Sequence, residues 1–304
     1  MALPMSAVPQ QRPLVTDPNG AFARNYNRRN FQFEYGLADN PLFELPQLIE
    51  LARRLPPDPK AAYWSNGSVD VSDGWSKGYR ARYALDETIA TIAENNSLVL
   101  LRHAEHDAAY GPVFRDLFAR LIELSGPQMH DDVIMGRATI LINSPRRVTS
   151  YHIDAEVNFL VHIAGPKRIH VFPHDDPAIV TELELEHFHS GNPNGAVYKP
   201  ESQQAATTYD LTPGAGVHVP VYAPHWVQNG DGVSISISVN FDLRSVKRQA
   251  AIYRFNSWLR RAGLAPAAPG RSAIRDRAKL AAAQGAIALR NAVRPILPSR
   301  FTPY

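Results

Sequence analysis

The sequence predicts a mainly β protein: a jelly-roll core preceded by helices and followed by a helical extension. Three observations carry this. Between residues 136 and 244, short runs rich in β-branched and aromatic residues recur, several of them separated by turn residues. The run 234–241 alternates cleanly, with Ser234, Ser236, Ser238 and Asn240 on one face and Ile235, Ile237, Val239 and Phe241 on the other. Eight or so such strands with long connections suit a barrel or sandwich of the jelly-roll type. Outside that stretch the apolar spacing turns helical.

In chain order, residues 1–30 are rich in Pro, Asn, Arg and Gln and read as an extended or partly disordered arm. Residues 31–135 read as an α/β region packing on the core. Within it, 46–55 has apolar residues at helical spacing, and 86–95 reads as a helix capped by Asp86. Residues 98–101 are a short apolar strand, and 113–124 form a strongly amphipathic helix. The core spans 136–244, interrupted at 175–204 by a polar, Pro- and Asn-rich stretch that reads as a long loop. The extension, 245–304, carries helical patterns over 246–262 and 272–293, with Pro266 and Pro269 between them.

Composition narrows the function classes. The 304 residues include no cysteine, which excludes a disulfide framework, a thiolate metal site and a cysteine nucleophile. No run of apolar residues is long enough for a membrane-spanning helix. The first residues lack the pattern of a secretory signal, so a cytoplasmic location is expected. Charge is divided unevenly. Residues 245–304 hold 12 Lys/Arg and one acid, Asp276, and the rest of the chain holds 20 basic and 28 acidic residues. A basic tail of this kind either binds nucleic acid or another anionic surface, or docks as helices against the acidic body. Docking is the commoner outcome.

The chemistry concentrates in His152, Asp154 and His225. His152-Ile153-Asp154 sits on a predicted strand, where residues two apart share a face and can reach one ion. His225 must come from a distant strand. Two imidazoles and a carboxylate on one side of a metal leave its other side open, the arrangement of non-haem Fe(II) oxygenases. Alone the triplet is a weak signal in a chain with 11 histidines. Lys167 stands 13 residues after Asp154, at the start of the following strand, KRIHVFP. On its own it reads first as a solvated lysine after the Gly165-Pro166 turn. Pointing inward, it would require an anionic partner. His162 is a candidate pocket residue, four residues after Asn158. His187 and His189 fall in the polar stretch and read as solvated. Trp64, Trp75, Tyr151, Tyr222 and Trp226 read as packing residues before cleft residues.

The stretch TSYHIDAEVNFLVHIAGPKRIHVFP, residues 149–173, resembles the core of the JmjC-type, cupin-like 2-oxoglutarate oxygenases. It is particularly similar to the asparaginyl hydroxylases of the hypoxia-inducible factor. That family carries a Thr three residues before the first His, an Asn four after the Asp, and a G-x-K element nine after the Asn. Here these positions are Thr149, His152, Asp154, Asn158 and Lys167. The stretch DLTPGAGVHVPVYAPHW resembles the family's second half, with His225 as the distal metal ligand. SISVNF resembles its T-V-N-F strand, with Asn240 lining the site. The likeness covers roughly residues 137–244, and Ala215 stands where the family usually has Asp.

The resemblance implies a double-stranded β-helix fold and Fe(II) on His152, Asp154 and His225. It also implies 2-oxoglutarate as co-substrate, held by Lys167 and Thr149 with Asn158 and Asn240. The implied activity is hydroxylation of an aliphatic C–H of a small molecule, a carrier-bound amino acid or a protein side chain, with succinate and CO2 as co-products. By position only, it implies a homodimer through the C-terminal helices. The reading of a different class is a non-catalytic cupin-like binding or regulatory protein that uses the basic tail. Succinate formation separates the two.

Overall fold

The structure is a computed structural model, and it describes residues 13–56, 58, 60–74, 79–80 and 83–293. Trp75, positions 1–12 of the arm and positions 294–304 of the tail lie outside the described residues. The N-terminal region contains β1 (Val15–Thr16), α1 (Ala21–Asn25), β2 (Phe31–Tyr35), α2 (Leu45–Arg54), β3 (Ala62–Asn66), β4 (Tyr79–Arg80) and α3 (Leu85–Ala90). It continues with β5 (Ser97–Arg102), α4 (Gly111–Ser125) and α5 (Pro127–Asp132). The core then runs through β6 (Val133–Asn143), β7 (Val148–His152), β8 (Val157–Ala164) and β9 (Lys167–Val171). After α6 (Glu182–His189) come β10 (Thr207–Leu211), β11 (Ala215–Val219), β12 (His225–Asn229) and β13 (Ser234–Leu243). The chain continues into α7 (Arg244–Arg261) and α8 (Ala273–Val293).

The strands form two antiparallel sheets facing each other, a jelly roll. The larger has the order β1-β2-β11-β8-β13-β6-β5-β3-β4 and the smaller the order β10-β9-β12-β7. β13 is central, paired to β6 on one side and β8 on the other. Both of its faces are used. Ile235, Ile237, Val239 and Phe241 face away from the smaller sheet and belong to the main core, with the aromatic rings of the N-terminal helices. Phe241 meets Phe118 of α4 edge-on at 5.5 Å, and Phe159 of β8 stacks on Phe22 of α1 at 5.7 Å. Fully burying each such ring contributes about 1.5–3 kcal/mol. The Ser238–Asn240 face turns instead into the barrel. There, Leu160, Ile169, Val171, Val217, Val219 and Val227 make a second, smaller apolar cluster between the sheets.

Several expectations need correction. The predicted extended arm is folded over 13–30. The Asp17 carboxylate accepts the N–H groups of Ala21 and Phe22 at 2.7 and 3.2 Å. It thereby starts α1, and burial of Phe22 docks the segment. The helix expected over 86–95 ends at Ala90. The stretch 175–204 is not all loop, because it holds α6, closed by a reciprocal capping box between Thr181 and Glu184. His189 is therefore buried, not solvated. Its Nε2 lies 2.9 Å from the Tyr222 hydroxyl, and burial pushes its pKa down to about 4.

The basic tail meets the acidic body in part. Arg260 makes two 2.8 Å bonds to the buried Glu186 carboxylate, Arg254 donates to the His189 carbonyl, and Lys247 pairs with Asp242 at 2.9 Å. No helix among the described residues is long and apolar enough to cross a membrane.

Candidate active site

β7 and β12 lie side by side in the smaller sheet, and their pairing builds the site. His225 opposes His152, but Val227 opposes Thr149, so the register slips by one residue between them. The slip is a bulge: Ser150 and Tyr151 together face the single residue Trp226. The freed Tyr151 N–H bonds the Val71 carbonyl at 2.9 Å, outside the ladder. A bulge shifts strand parity by one. Thr149 and His152, three residues apart, therefore both face the barrel interior, which a regular strand would forbid. Strand β7 ends at His152, so Asp154 lies on the connection to β8 and not on the strand as expected. The connection is held where the Tyr222 N–H bonds the Asp154 carbonyl at 2.9 Å.

The three side chains converge. The imidazole centroids of His152 and His225 are 4.2 Å apart. Oδ2 of Asp154 lies 3.9 Å from Nε2 of His152 and 3.7 Å from Nε2 of His225. Two donors sharing an ion at about 2.1 Å each stand roughly 3–4 Å apart, so the spacing suits a metal. The tautomers suit one too. Nδ1 of His152 is 2.8 Å from the Ser150 carbonyl, and Nδ1 of His225 is 3.0 Å from the Ala223 carbonyl. A carbonyl only accepts, so both rings carry their proton on Nδ1 and aim the Nε2 lone pair at the cluster. Burial, then the neighbouring His152, push the pKa of His225 down to about 4, so that ring is neutral at pH 7.

These groups open on a cavity of about 540 Å³ between the sheets. Its floor is the inner face of the larger sheet, and the register sets its rows. Arg137, Asn240 and Asn158 are neighbours across β6, β13 and β8. The next row inward is Arg102, Thr139, Ser238 and Leu160. Nδ2 of Asn158 donates to Oγ of Ser238 at 2.6 Å and to Oδ1 of Asn240 at 2.7 Å. Oδ1 of Asn158 is buried without a hydrogen-bond partner among the described residues. Arg137 pairs with Glu156 and, at 3.2 Å, with Asp242.

Lys167 lines the far end of the same cavity. It opposes Asn229, while His225 opposes Val171, so the two levels are four residues, roughly 13 Å, apart along the strand. Lys167 is only 5% exposed, and among the described residues its ammonium has no carboxylate partner. Burial alone pushes its pKa down to about 7.

Thus the structure gathers Thr149, His152, Asp154, Asn158, Lys167, His225 and Asn240 around one cavity. His162 is not among the lining residues. It is fully buried, 3.0 Å from Oγ of Ser236 and 2.6 Å from the Gly165 carbonyl, and burial pushes its pKa down to about 4. Tyr151, Tyr222 and Trp226 pack elsewhere, Trp226 stacking on His170 at 4.0 Å. Sequence reasoning missed Arg102, Arg137 and Ser238. Ser238 could have been found from its strand face, shared with Asn240. A second cluster, His103, Glu105 and His106, has its donor atoms within 4.8 Å of one another, with both histidines exposed.

No protein-family profile and no curated protein matches the chain. Solved structures do. An Escherichia coli YcfD structure aligns over 92% of this chain and 69% of its own at 16% identity, TM-score 0.53. A second, described as the E. coli ribosomal oxygenase YcfD, aligns over 92% and 68% at 16% identity, TM-score 0.51. A third, in complex with cobalt and 2-oxoglutarate, aligns over 92% and 68% at 15% identity, TM-score 0.51. At these identities the likeness establishes the fold, a jelly-roll, cupin-like core with helical additions.

Proposed function

We propose that the protein is an Fe(II)- and 2-oxoglutarate-dependent oxygenase that hydroxylates an aliphatic C–H. The observation that carries this reading is Lys167. A buried ammonium with no carboxylate of its own is costly, and it is retained where a ligand supplies the anion. A dicarboxylate reaching from Lys167 toward the His152, Asp154 and His225 donors meets both requirements. The lysine stem and a five-carbon diacid together cover the distance between the two levels. The cobalt and 2-oxoglutarate complex of the similarly folded YcfD is in keeping with this.

The donor set is what an iron ion takes in such sites: two neutral imidazoles, one carboxylate and an open side facing the cavity. Bound iron with 2-oxoglutarate would supply the oxidising chemistry, with succinate and CO2 as co-products. The protein's own groups do the rest. His152 and His225 present Nε2 because Ser150 and Ala223 hold their Nδ1 protons. Lys167 pairs with the distal carboxylate of the co-substrate, and the Thr149 hydroxyl donates to it. The amides of Asn158 and Asn240, cross-linked through Ser238, hold a fixed polar wall beside the metal position. The buried Leu160, Ile169 and Val227 limit water at the co-substrate end, where the charge pair then counts for more.

The test uses purified protein with Fe(II) and 2-oxoglutarate, first without oxygen. A visible charge-transfer band is expected, followed by succinate once O2 is admitted. His152→Ala and Asp154→Ala are each expected to abolish succinate formation. Full turnover by both variants would overturn the ligand assignment. Metal binding with neither band nor succinate would favour a non-catalytic cupin-like protein.

A further inference from the structure

Arg102 ends β5 and lines the cavity, in the same row as Thr139 and Ser238. The β5 backbone fixes it there, through the ladder to β6 and a 2.8 Å bond from its N–H to the Ala61 carbonyl. Its guanidinium carbon lies 6.0 Å from the centroid of the Tyr63 ring. The residue is half-buried, and burial lowers its pKa. No ion pair to it is present among the described residues, and every Asp and Glu of the protein lies among them. No Asp or Glu side chain therefore neutralises Arg102.

Charge balance over the cavity sharpens the point, and this step rests on the function proposed above. A divalent metal with Asp154 is singly positive, 2-oxoglutarate is doubly negative, and Lys167 is singly positive. The occupied co-substrate site is then neutral. Arg137 is cancelled by Glu156. Of the charged side chains lining the cavity, Arg102 and Lys60 remain, both positive. A half-buried guanidinium facing a cavity presents a fork of N–H donors matched to a planar or tetrahedral oxyanion.

We propose that Arg102 docks an anionic group, a carboxylate or a phosphate, of the molecule that is oxidised, so that the enzyme selects acidic substrates. Lys60 adds a second positive charge to the same cavity. The anion would bind beside Arg102 and Thr139, one row inward of Arg137 and Asn240 and three strands across the sheet from Leu160, leaving the rest of the substrate to extend toward the metal position. Arg102 is a specificity residue in this account, because it touches the substrate away from the reacting carbon.

The test is calorimetric titration of full-length protein loaded with Mn(II) and saturating N-oxalylglycine, which fills the co-substrate site. The probes are a panel of N-acetyl amino acids, their carboxamides, and phenyl phosphate. A carboxylate probe is expected to bind the native protein roughly tenfold or more tightly than its amide, as a charge-assisted bond would give. Phenyl phosphate, set against the carboxylates, shows which oxyanion the site prefers. The acid preference should vanish in Arg102→Gln and partly survive in Arg102→Lys, which also controls for folding. A native protein without an acid preference overturns the proposal, as does an Arg102→Gln variant that keeps it. Loss of N-oxalylglycine binding in Arg102→Gln also overturns it, because Arg102 would then belong to the co-substrate. Succinate formation by the iron-loaded protein is scored separately. An Arg102-dependent acid preference without succinate would leave this inference standing and remove the oxygenase reading.

Discussion

Replacing Lys167 by Met should strengthen the fold while removing the ligand. In the ligand-free protein Lys167 is buried with no carboxylate partner among the described residues, and its pKa falls from 10.5 to about 7. At about 1.4 kcal/mol for each tenfold step, that fall is a penalty of about 5 kcal/mol on the charged form. The sign follows from proton counts. Between about pH 7 and 10.5 the unfolded chain binds a proton that the folded chain does not, so stability rises with pH across that window. The penalty is complete below about 7 and gone above 10.5. Lys167→Met has no such proton and carries no penalty at any pH.

Urea unfolding of both proteins, chelator-treated and free of 2-oxoglutarate, measures this from pH 6 to 10. At pH 6 the variant should be the more stable by about 5 kcal/mol, less whatever packing the thioether fails to recover. The gap should close steadily toward pH 10. His162, whose pKa burial and then Lys167 push down to about 4, titrates below the window and does not enter the difference. With 2-oxoglutarate and metal present the gap at pH 6 should narrow by up to about 2.7 kcal/mol, because the variant should lose on the order of 100-fold in co-substrate affinity with the buried charge pair. A stability difference that does not change with pH, or a wild-type protein more stable at pH 6, would refute the reasoning. Lys167→Leu repeats the comparison with a different apolar shape.

Other outcomes follow from the same geometry. His225→Ala should lower Co(II) affinity by at least about 10-fold in a calorimetric titration, since it removes one of three protein donors. Thr149→Ser should retain co-substrate affinity, while Thr149→Val should weaken it roughly 10-fold by losing a hydroxyl donor at nearly constant volume, read as the 2-oxoglutarate KM. Gly165 has φ +77°, and a Cβ there would meet the Val233 carbonyl oxygen at 2.2 Å. Gly165→Ala should therefore cost about 2–4 kcal/mol in urea unfolding, and it should disturb Lys167 two residues on. Thr181→Ala removes the capping box of α6 and should cost about 1 kcal/mol, without changing metal affinity.

What was legible in the sequence, and what was not, divides by the range of the interactions. The alternation of β13 and the amphipathic spacing of α4 are local, and both elements appear within a few residues of their expected bounds. The capping box Thr181-x-x-Glu184 was equally local, yet it was hidden by the polar character of the surrounding stretch. Burial of α6 comes from α7, which follows only after four further strands, through Glu186 and Arg260. Arg102 closes an apolar run and reads as an ordinary strand end. Only its pairing with Thr139, and that of Thr139 with Ser238, brings it to the cavity.

The position of Thr149 shows the limit most clearly. Strand parity places it opposite in sense to His152, and nothing in the string T-S-Y-H announces a bulge. The bulge exists because β12, remote from β7 in the chain, opposes both His152 and Thr149 while offering one residue against two. One inserted residue turns a hydroxyl from the outer face to the cavity and bends the strand end that carries His152. Resemblance could assign Thr149 to the site only by borrowing that pairing from other members of the fold. The converse is open to experiment. Deleting Ser150 would restore regular alternation and turn either Thr149 or His152 out of the cavity, so a variant that still bound both Co(II) and 2-oxoglutarate with native affinity would show that the bulge does not build the site.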